Sequence, residues 1–266
     1  IGVVGLEDII PYVHGKRLLE GLPAAQVQSA TDLMYGVLIP STEDEIAMAL
    51  EAHNIADQVH QRVASVMAPG KTEREVMAEG SYLMSLLGSL DGLAWISTAD
   101  AGSNRPPRDR RIEPDDIVRV YVELAGPAGY WTELGAVYSF REPPELMRRK
   151  FNIIVKAMNA AADMMRPGVK AGDLSAVIEQ TYRDDGWRIV GRSIWDAHGQ
   201  GLMGHLPPRA WPGSQEELKA NMVLNMHPGV QTEDGLGFSL TNNYVVTPNG
   251  GRPLGGFQHK WNLLPG

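Results

Sequence analysis

The sequence predicts an α/β (α+β) fold built from two similar halves. Two consecutive helices joined by a Met-x-Pro-Gly turn occur twice, with the turns at residues 67–70 and 165–168, and β-like sequence follows each pair. Recurrence of one supersecondary unit is typical of an internal duplication. Pro-Gly is also ordinary turn sequence, so the repeat alone leaves duplication open.

The first half begins with two helix-start patterns. Thr42 and Glu45 have the spacing of a capping box, in which the side chain of each residue binds the backbone N–H of the other. We expect this helix to end near residue 67. Thr72 and Glu75 repeat the pattern, and the helix they open is expected to end near residue 87. Strands are then expected over 95–98, 117–124 and 130–140.

The second half repeats this order. A helix is expected to begin near Glu145, because Pro144 is tolerated in a first turn, and to end near residue 165. The following helix is expected to start around Asp173. Strands are expected over 192–195, 222–227 and 238–246.

Composition excludes several classes of protein. The 24 Lys and Arg against 32 Asp and Glu give a formal charge of −8, without the basic patch that nucleic-acid binding requires. No apolar run approaches the roughly 18 residues of a membrane span. The absence of Cys excludes disulfides, zinc–thiolate sites and a thiol nucleophile. We therefore expect a protein that binds neither nucleic acid nor membrane. A cytoplasmic location is expected, and the absence of Cys permits it.

Three of the seven histidines fall within thirty residues and are the first candidates for chemistry. They are His198, His205 and His227, and each has Gly or Pro as a neighbour. Gly beside His lets a ligand or another backbone approach closely. A single His is more often a packed residue than a ligand, so the prediction depends on the clustering.

Four segments together resemble the catalytic domain of the creatinase, aminopeptidase P, prolidase and methionine aminopeptidase superfamily (M24). The segments are residues 114–118 with 129–134, 198–202 with 205–208, 223–229 and 238–247. Each segment alone is weak evidence for the resemblance, but the order and spacing of the four together make it specific. The resemblance implies the pita-bread fold, a pseudo-twofold antiparallel sheet covered by helices. It also implies a divalent metal site.

The chain departs from this superfamily at most of the metal ligands. Two Asp, one His and two Glu hold two cations in the metallopeptidases, and the corresponding positions here are Tyr121 or Val122, Glu133, His198, His227 and Thr241. The first position is ambiguous by one residue. Because two close cations need bridging carboxylates, we do not expect an ordinary dinuclear aminopeptidase.

The residues that remain form a different ligand set. Glu133, His198 and His227 correspond to positions that face one of the two metals. Two imidazoles and one carboxylate are typical of mononuclear non-haem iron sites. We expect one divalent ion, with Fe(II) first and Zn or Mn as alternatives, and a metal-free site stays open.

The other predicted site residues surround this triad. His205 corresponds to a substrate-contacting His, and Glu123 shares a strand face with Tyr121, so these three are predicted to be catalytic. Aromatic or polar side chains near the triad are predicted to bind substrate: Trp131, Trp195, Thr241 and Asn242.

Three functions are compatible with this site. The first is a metalloenzyme that acts on a small-molecule substrate, by oxygen activation or by metal-assisted hydrolysis or elimination. The second is a hydrolase, either metal-free and creatinase-like on a C–N bond or similar to Xaa-Pro peptidases. The third is a non-catalytic binding module.

The domain organisation is expected to follow that of the same relatives. Residues 1–40 are expected to form a connector or the tail of an N-terminal domain, and residues 41–266 the pita-bread catalytic domain. The first residues lack an initiator Met and a basic signal-peptide region, so we expect a piece of a longer, homodimeric protein.

Overall fold

A computed structural model describes residues 2–3, 10–40, 42–98, 105–192, 194–233 and 240–265. The chain divides into two compact units, Ile1–Ile39 and Pro40–Gly266. In the part of the chain described, no helix has the length and apolar character needed to cross a membrane.

The first unit contains regular structure that the sequence did not predict. Strands β1 (Gly2–Val3) and β2 (Gln28–Ser29) pair in parallel, and the helices are α1 (Tyr12–Gly21) and α2 (Thr31–Leu38). Helix α1 buries only Gly15, and its large apolar side chains, such as Tyr12 and Leu19, are exposed. The assignment of this segment to another domain stays a prediction.

The described residues of the second unit form four helices and eleven strands in two halves. Its helices are α3 (Glu43–Val66), α4 (Glu73–Leu86), α5 (Glu145–Met164) and α6 (Ala171–Asp184). The strands of the first half are β3 (Asp91–Ser97), β4 (Ile117–Ala125) and β5 (Trp131–Ser139). Those that follow are β6 (Ile189–Arg192), β7 (Ala197–Gly199), β8 (Leu206–Ala210), β9 (Val223–Met226), β10 (Val230–Thr232), β11 (Asn242–Thr247), β12 (Gly250–Pro253) and β13 (Asn262–Leu263).

The helix starts follow the capping chemistry of the sequence. Thr42 and Glu45 form the complete capping box at α3, and Thr72 and Glu75 form it at α4. Each box satisfies two N–H groups that a helix terminus otherwise leaves without partners. Helix α5 begins at Glu145 as predicted, and α6 begins two residues before Asp173.

The strands of the second half were predicted less accurately. A strand over 192–195 is wrong, because β6 ends at Arg192. The strand expected over 238–246 corresponds to β11, and residues 238 and 239 lie outside the described residues. Strand β7 was missed, since three residues are too short to show an alternating pattern.

Two sheets carry the site. One has the strand order β13-β5-β4-β3, and the other has the order β12-β11-β9-β7-β8. Helices α3 and α4 cover the apolar core of the first sheet, and α5 and α6 cover that of the second. This arrangement of two helix pairs on antiparallel sheet confirms the predicted fold class.

The sheets meet at a close backbone contact. Gly135 of β5 and Thr241 pair as an isolated bridge, and Thr241 N–H donates to the Gly135 carbonyl oxygen at 3.4 Å. A Cβ at residue 135 would lie 2.9 Å from Thr241 Oγ1 and 3.2 Å from its backbone N. Gly is therefore required here for the two halves to approach.

Gly135→Ala is expected to lower the free energy of unfolding by about 1–3 kcal/mol, because the added methyl overpacks the junction. Urea denaturation measures this change. Gly256→Ala is the matched control, since a Cβ at Gly256 meets nothing within 4 Å. Equal stability of the two variants would contradict the packing described for this junction.

Three histidines are buried away from the candidate site. Burial lowers the pKa of His53, His60 and His259 to about 4 each. His60 is held as a neutral ring, because its Nε2–H donates to the Leu134 carbonyl oxygen at 3.2 Å and its Nδ1 accepts from Tyr138 Oη at 3.0 Å. Protonation of His60 would place a charge in this core without a counter-ion.

Wild-type stability is expected to fall as the pH drops from 6.5 towards 4. His60 gains a proton near pH 6.5 when unfolded but near pH 4 when folded, so the unfolded state binds more protons in this window. This difference between the folded and unfolded pKa of His60 corresponds to about 3 kcal/mol in the free energy of unfolding. Urea denaturation at pH 7, 5.5 and 4.5 should show a shallower loss for His60→Gln than for wild type. If the free energies of unfolding of wild type and His60→Gln fell equally with pH, His60 would not be buried as a neutral ring.

Candidate functional site

The candidate site lies between the two sheets and takes side chains from both. Strands β4 and β5 pair with Glu123 directly opposite Glu133 and Tyr121 opposite Gly135. Directly opposed residues share a face of the sheet, so Tyr121, Glu123 and Glu133 point the same way. Val122 lies in the apolar core on the other face. The one-residue ambiguity of the sequence is therefore resolved in favour of Tyr121.

The Glu133 carboxylate is the centre of the site. It is 1% exposed, and each oxygen accepts a hydrogen bond. Tyr121 Oη donates to Oε2 at 2.8 Å, and Gln200 Nε2 donates to Oε1 at 2.9 Å. Both donors are neutral, so they orient the carboxylate without cancelling its charge.

His198 presents one nitrogen to this carboxylate. Its Nδ1 lies 3.0 Å from the carbonyl oxygen of Gly199, and because a carbonyl only accepts, Nδ1 carries the hydrogen. In the neutral ring, Nε2 then carries the lone pair, and it lies 3.4 Å from Glu133 Oε1. His198 Nε2 is fully buried and has no hydrogen-bond partner among the described residues.

His227 completes the triad from the end of β9. Its backbone N–H donates to the Asp196 carbonyl oxygen at 2.9 Å, which fixes the chain beside β7. The His198 and His227 rings are 5.0 Å apart. One potential ligand atom from each of Glu133, His198 and His227 lies within 4.8 Å of the others. The structure thus brings together all three residues predicted to bind metal.

The electrostatics of the triad suit a bound cation. Burial alone would raise the pKa of Glu133, but His198 and the hydrogen bonds lower it well below the usual range. Burial and the neighbouring His198 lower the pKa of His227 to about 4. At neutral pH the site therefore offers an ionised carboxylate and a neutral His227. Burial opposes the charging of His198, yet Glu133 raises its pKa above the ordinary value.

These residues fit one divalent cation. A fully buried imidazole nitrogen without a partner is costly unless a ligand satisfies it. Two imidazoles with a carboxylate match the preferences of iron, zinc and similar divalent ions. A second group whose ligand atoms lie within 4.8 Å consists of Glu123, Glu133 and His205, and it shares Glu133 with the first.

Glu123 and His205 flank the triad as the sequence predicted. Tyr121 Oη lies 3.1 Å from Glu123 Oε2, and burial together with Glu133 raises the pKa of Glu123 to about 7. His205 is half exposed, and its ring centre is 4.6 Å from that of His198. His205 is therefore the most exposed histidine of the site. The catalytic roles of Tyr121, Glu123 and His205 stay predictions.

Trp131 and Trp195 lie beside the triad. The Trp195 ring is 5.9 Å from the rings of both His198 and His205. A Cβ at Gly204 would lie 3.0 Å from Glu123 Oε1 and 3.6 Å from the Trp131 ring, so the Gly204 backbone closes over both. The two Trp side chains therefore lie beside the candidate site, and their contact with substrate stays a prediction.

Thr241 and Asn242, the other predicted substrate contacts, differ in their surroundings. Thr241 is fully buried at the sheet junction, and its Oγ1 has no partner among the residues described. Asn242 Nδ2 donates to the Phe257 carbonyl oxygen at 3.3 Å, and its Oδ1 accepts from Asn243 N at 2.8 Å. These contacts favour a structural role for Asn242, and its substrate contact stays a prediction.

Sequence reasoning missed three polar residues around Glu133. Gln200 binds the carboxylate, while Asn225 Nδ2 and Asn243 Nδ2 each donate to the Glu133 carbonyl oxygen at 3.2 Å. Gln200 follows His198 by two residues, which in a strand gives a shared face. That spacing was visible in the sequence. The two Asn contacts depend on the pairing of β9 and β11.

Comparison with known proteins identifies the family to which the chain belongs. Residues 47–248 match the model of Metallopeptidase family M24. The chain is 26% identical to a probable dipeptidase PepE of Mycobacterium tuberculosis over 97% of this chain and 69% of that protein. It is 25% identical to a Xaa-Pro dipeptidase of Pyrococcus horikoshii, over 94% of this chain and 72% of that protein.

A solved structure shows the same architecture. Dipeptidase PepE from Mycobacterium ulcerans superposes with a TM-score of 0.85 at 26% identity, over 97% of this chain and 70% of that one. The family match and this likeness confirm the resemblance and the pita-bread fold inferred from the sequence.

Tyr121→Phe is expected to destabilise the metal-free protein by about 1.5–3 kcal/mol, because the phenol donates to a buried carboxylate between two acids. Urea denaturation at pH 8 measures the loss. Tyr82→Phe, which alters an exposed hydroxyl on α4, is the control and should match wild type. If Tyr121→Phe had the same free energy of unfolding as wild type, the two carboxylates would not need this hydrogen-bond donor.

Proposed function

The chain belongs to metallopeptidase family M24, and from that premise we propose that it is a metal-dependent hydrolase of an amide bond in a short, peptide-like substrate. The names of its relatives, a probable dipeptidase and a Xaa-Pro dipeptidase, support this substrate class. Oxygen activation and elimination have no counterpart among these relatives, so hydrolysis is the reaction we carry forward.

The observation that carries the proposal is the convergence of Glu133, His198 and His227, with the buried Nε2 of His198 lacking a partner among the described residues. These three side chains would hold one divalent cation. Such a cation, when bound, polarises a carbonyl group and lowers the pKa of a bound water. Fe(II) is our first proposal for its identity, with Zn and Mn as alternatives.

The protein's own residues position the substrate and handle protons. His205, half exposed beside His198, would hydrogen-bond the reacting amide. Glu123 would take a proton from the attacking water and return it to the leaving nitrogen, since a carboxyl group with a pKa of about 7 can do both near neutral pH. Trp131 and Trp195 would form apolar walls that limit water in the site.

A second candidate is a metal-free, creatinase-like hydrolase of a C–N bond. It is favoured by the imidazole–carboxylate pair of His198 and Glu133, whose facing atoms are 3.4 Å apart. Such a pair can accept a proton from water without a cation.

Homodimerisation and a cytoplasmic location stay predictions from the sequence.

The test is the metal dependence of dipeptide hydrolysis. Protein stripped with a chelator is reloaded separately with Fe(II) under anaerobic conditions, Zn²⁺ or Mn²⁺. Bound metal is counted by elemental mass spectrometry, and release of free amino acid from Xaa-Pro and other dipeptides is measured. We expect about one ion per chain and loss of at least 100-fold in activity for His227→Ala. His14→Ala, an exposed histidine of α1, is the matched control.

The outcomes separate the two candidates. Hydrolysis that survives stripping, with no ion retained, would favour the metal-free mechanism. Wild-type metal content in His227→Ala would remove His227 from the ligand set. Stoichiometric metal without cleavage of any dipeptide would overturn the proposed substrate class.

A further inference from the structure

Gln200 is a fully buried polar residue that none of the proposed roles uses. It follows β7 directly, and its backbone is held on both sides: its N–H donates to the Val223 carbonyl oxygen at 2.9 Å, and the next carbonyl, that of Gly201, accepts from Trp131 N at 2.8 Å. The side chain therefore starts from a fixed backbone position.

The two hydrogens of the Gln200 amide have two different acceptors. One points to Glu133 Oε1 at 2.9 Å, and the other to the carbonyl oxygen of Gly204 at 3.4 Å. Both partners only accept, so the NH₂ group must face them, and the amide orientation is fixed by chemistry. Gly204 precedes His205. The amide thus links the central carboxylate to the segment that carries the most exposed histidine of the site.

The contact with Glu133 restricts the carboxylate that would bind metal. A free Glu side chain turns about several bonds, but Tyr121 holds Oε2 and Gln200 holds Oε1. The hydrogen bond from Gln200 falls on the same oxygen that faces His198 Nε2. Because the donor is neutral, it orients this oxygen without cancelling the negative charge that attracts a cation.

We propose that Gln200 is a positioning residue that sets the cation affinity of the Glu133–His198–His227 site. It does so by holding Glu133 Oε1 towards the two imidazoles. This inference rests on the proposed function only in requiring that the wild-type protein binds a cation. It assigns a task to a residue that donates no ligand atom to the triad.

The test measures Co²⁺ binding to metal-free wild type and Gln200→Met. Met keeps the length and bulk of Gln but has no N–H donor. Removal of such an outer hydrogen bond typically weakens metal binding 10–100-fold, and we expect a Co²⁺ Kd raised by that factor. The visible absorption of bound Co²⁺ should also change in energy or intensity, since the carboxylate is no longer held in one orientation. Circular dichroism confirms that each protein is folded.

Two further variants make the result specific. Gln58→Met, on an exposed position of α3, is the matched control and should bind Co²⁺ as wild type does. Gln200→Leu also lacks the donor, with a smaller side chain, and gives the answer if the Met variant misfolds. An unchanged Co²⁺ Kd and spectrum in a folded Gln200 variant would overturn the positioning role.

The result is separable from the proposed function. If wild type binds no Co²⁺, Zn²⁺ or Mn²⁺, the metal proposal itself fails, and this inference fails with it. If wild type binds Co²⁺ and a folded Gln200 variant binds equally well, only the role of Gln200 is lost.

Discussion

A single buried carboxylate organises this structure. Glu133 is 1% exposed, so its ionised form is stable only with hydrogen bonds and a positive partner. Two neutral donors, Tyr121 and Gln200, hold its oxygens, and His198 faces it at 3.4 Å. The negative charge that remains favours either a cation bound between Glu133, His198 and His227 or a proton on one of the two imidazoles.

The fold fixes the backbone of Glu133 as well as its carboxylate. The Glu133 carbonyl oxygen accepts hydrogen bonds from both Asn225 and Asn243, which belong to the other sheet. Two residues further along β5, Gly135 lets that sheet approach to backbone contact. The pairing of the two halves and the geometry of the site therefore depend on the same few residues of β5.

The sequence was sufficient for the parts of the structure that local chemistry determines. The capping boxes at Thr42 and Thr72 predicted two helix starts, and the Met-x-Pro-Gly turns predicted the repeated helix pairs. Glu133, His198 and His227 were predicted as a ligand set from the family resemblance, and the structure brings the three side chains together.

What the sequence could not provide depends on contacts between distant segments. The choice between Tyr121 and Val122 required the register of β4 against β5, because adjacent residues of a strand face opposite sides. The Asn225 and Asn243 contacts required the order of strands in the second sheet. Helices α1 and α2 were missed because they are only 10 and 8 residues long and lack the capping boxes that mark α3 and α4.

Anomalous diffraction from crystals of the metal-free protein soaked in Zn²⁺ tests the central claim most directly. Our account predicts a single anomalous peak per chain in this region, bounded by the side chains of Glu133, His198 and His227. The absence of a peak there, in crystals that bind Zn²⁺ elsewhere, would contradict the metal site. A peak between Glu123, Glu133 and His205 alone would show that the cation is held by the other face of the same carboxylate.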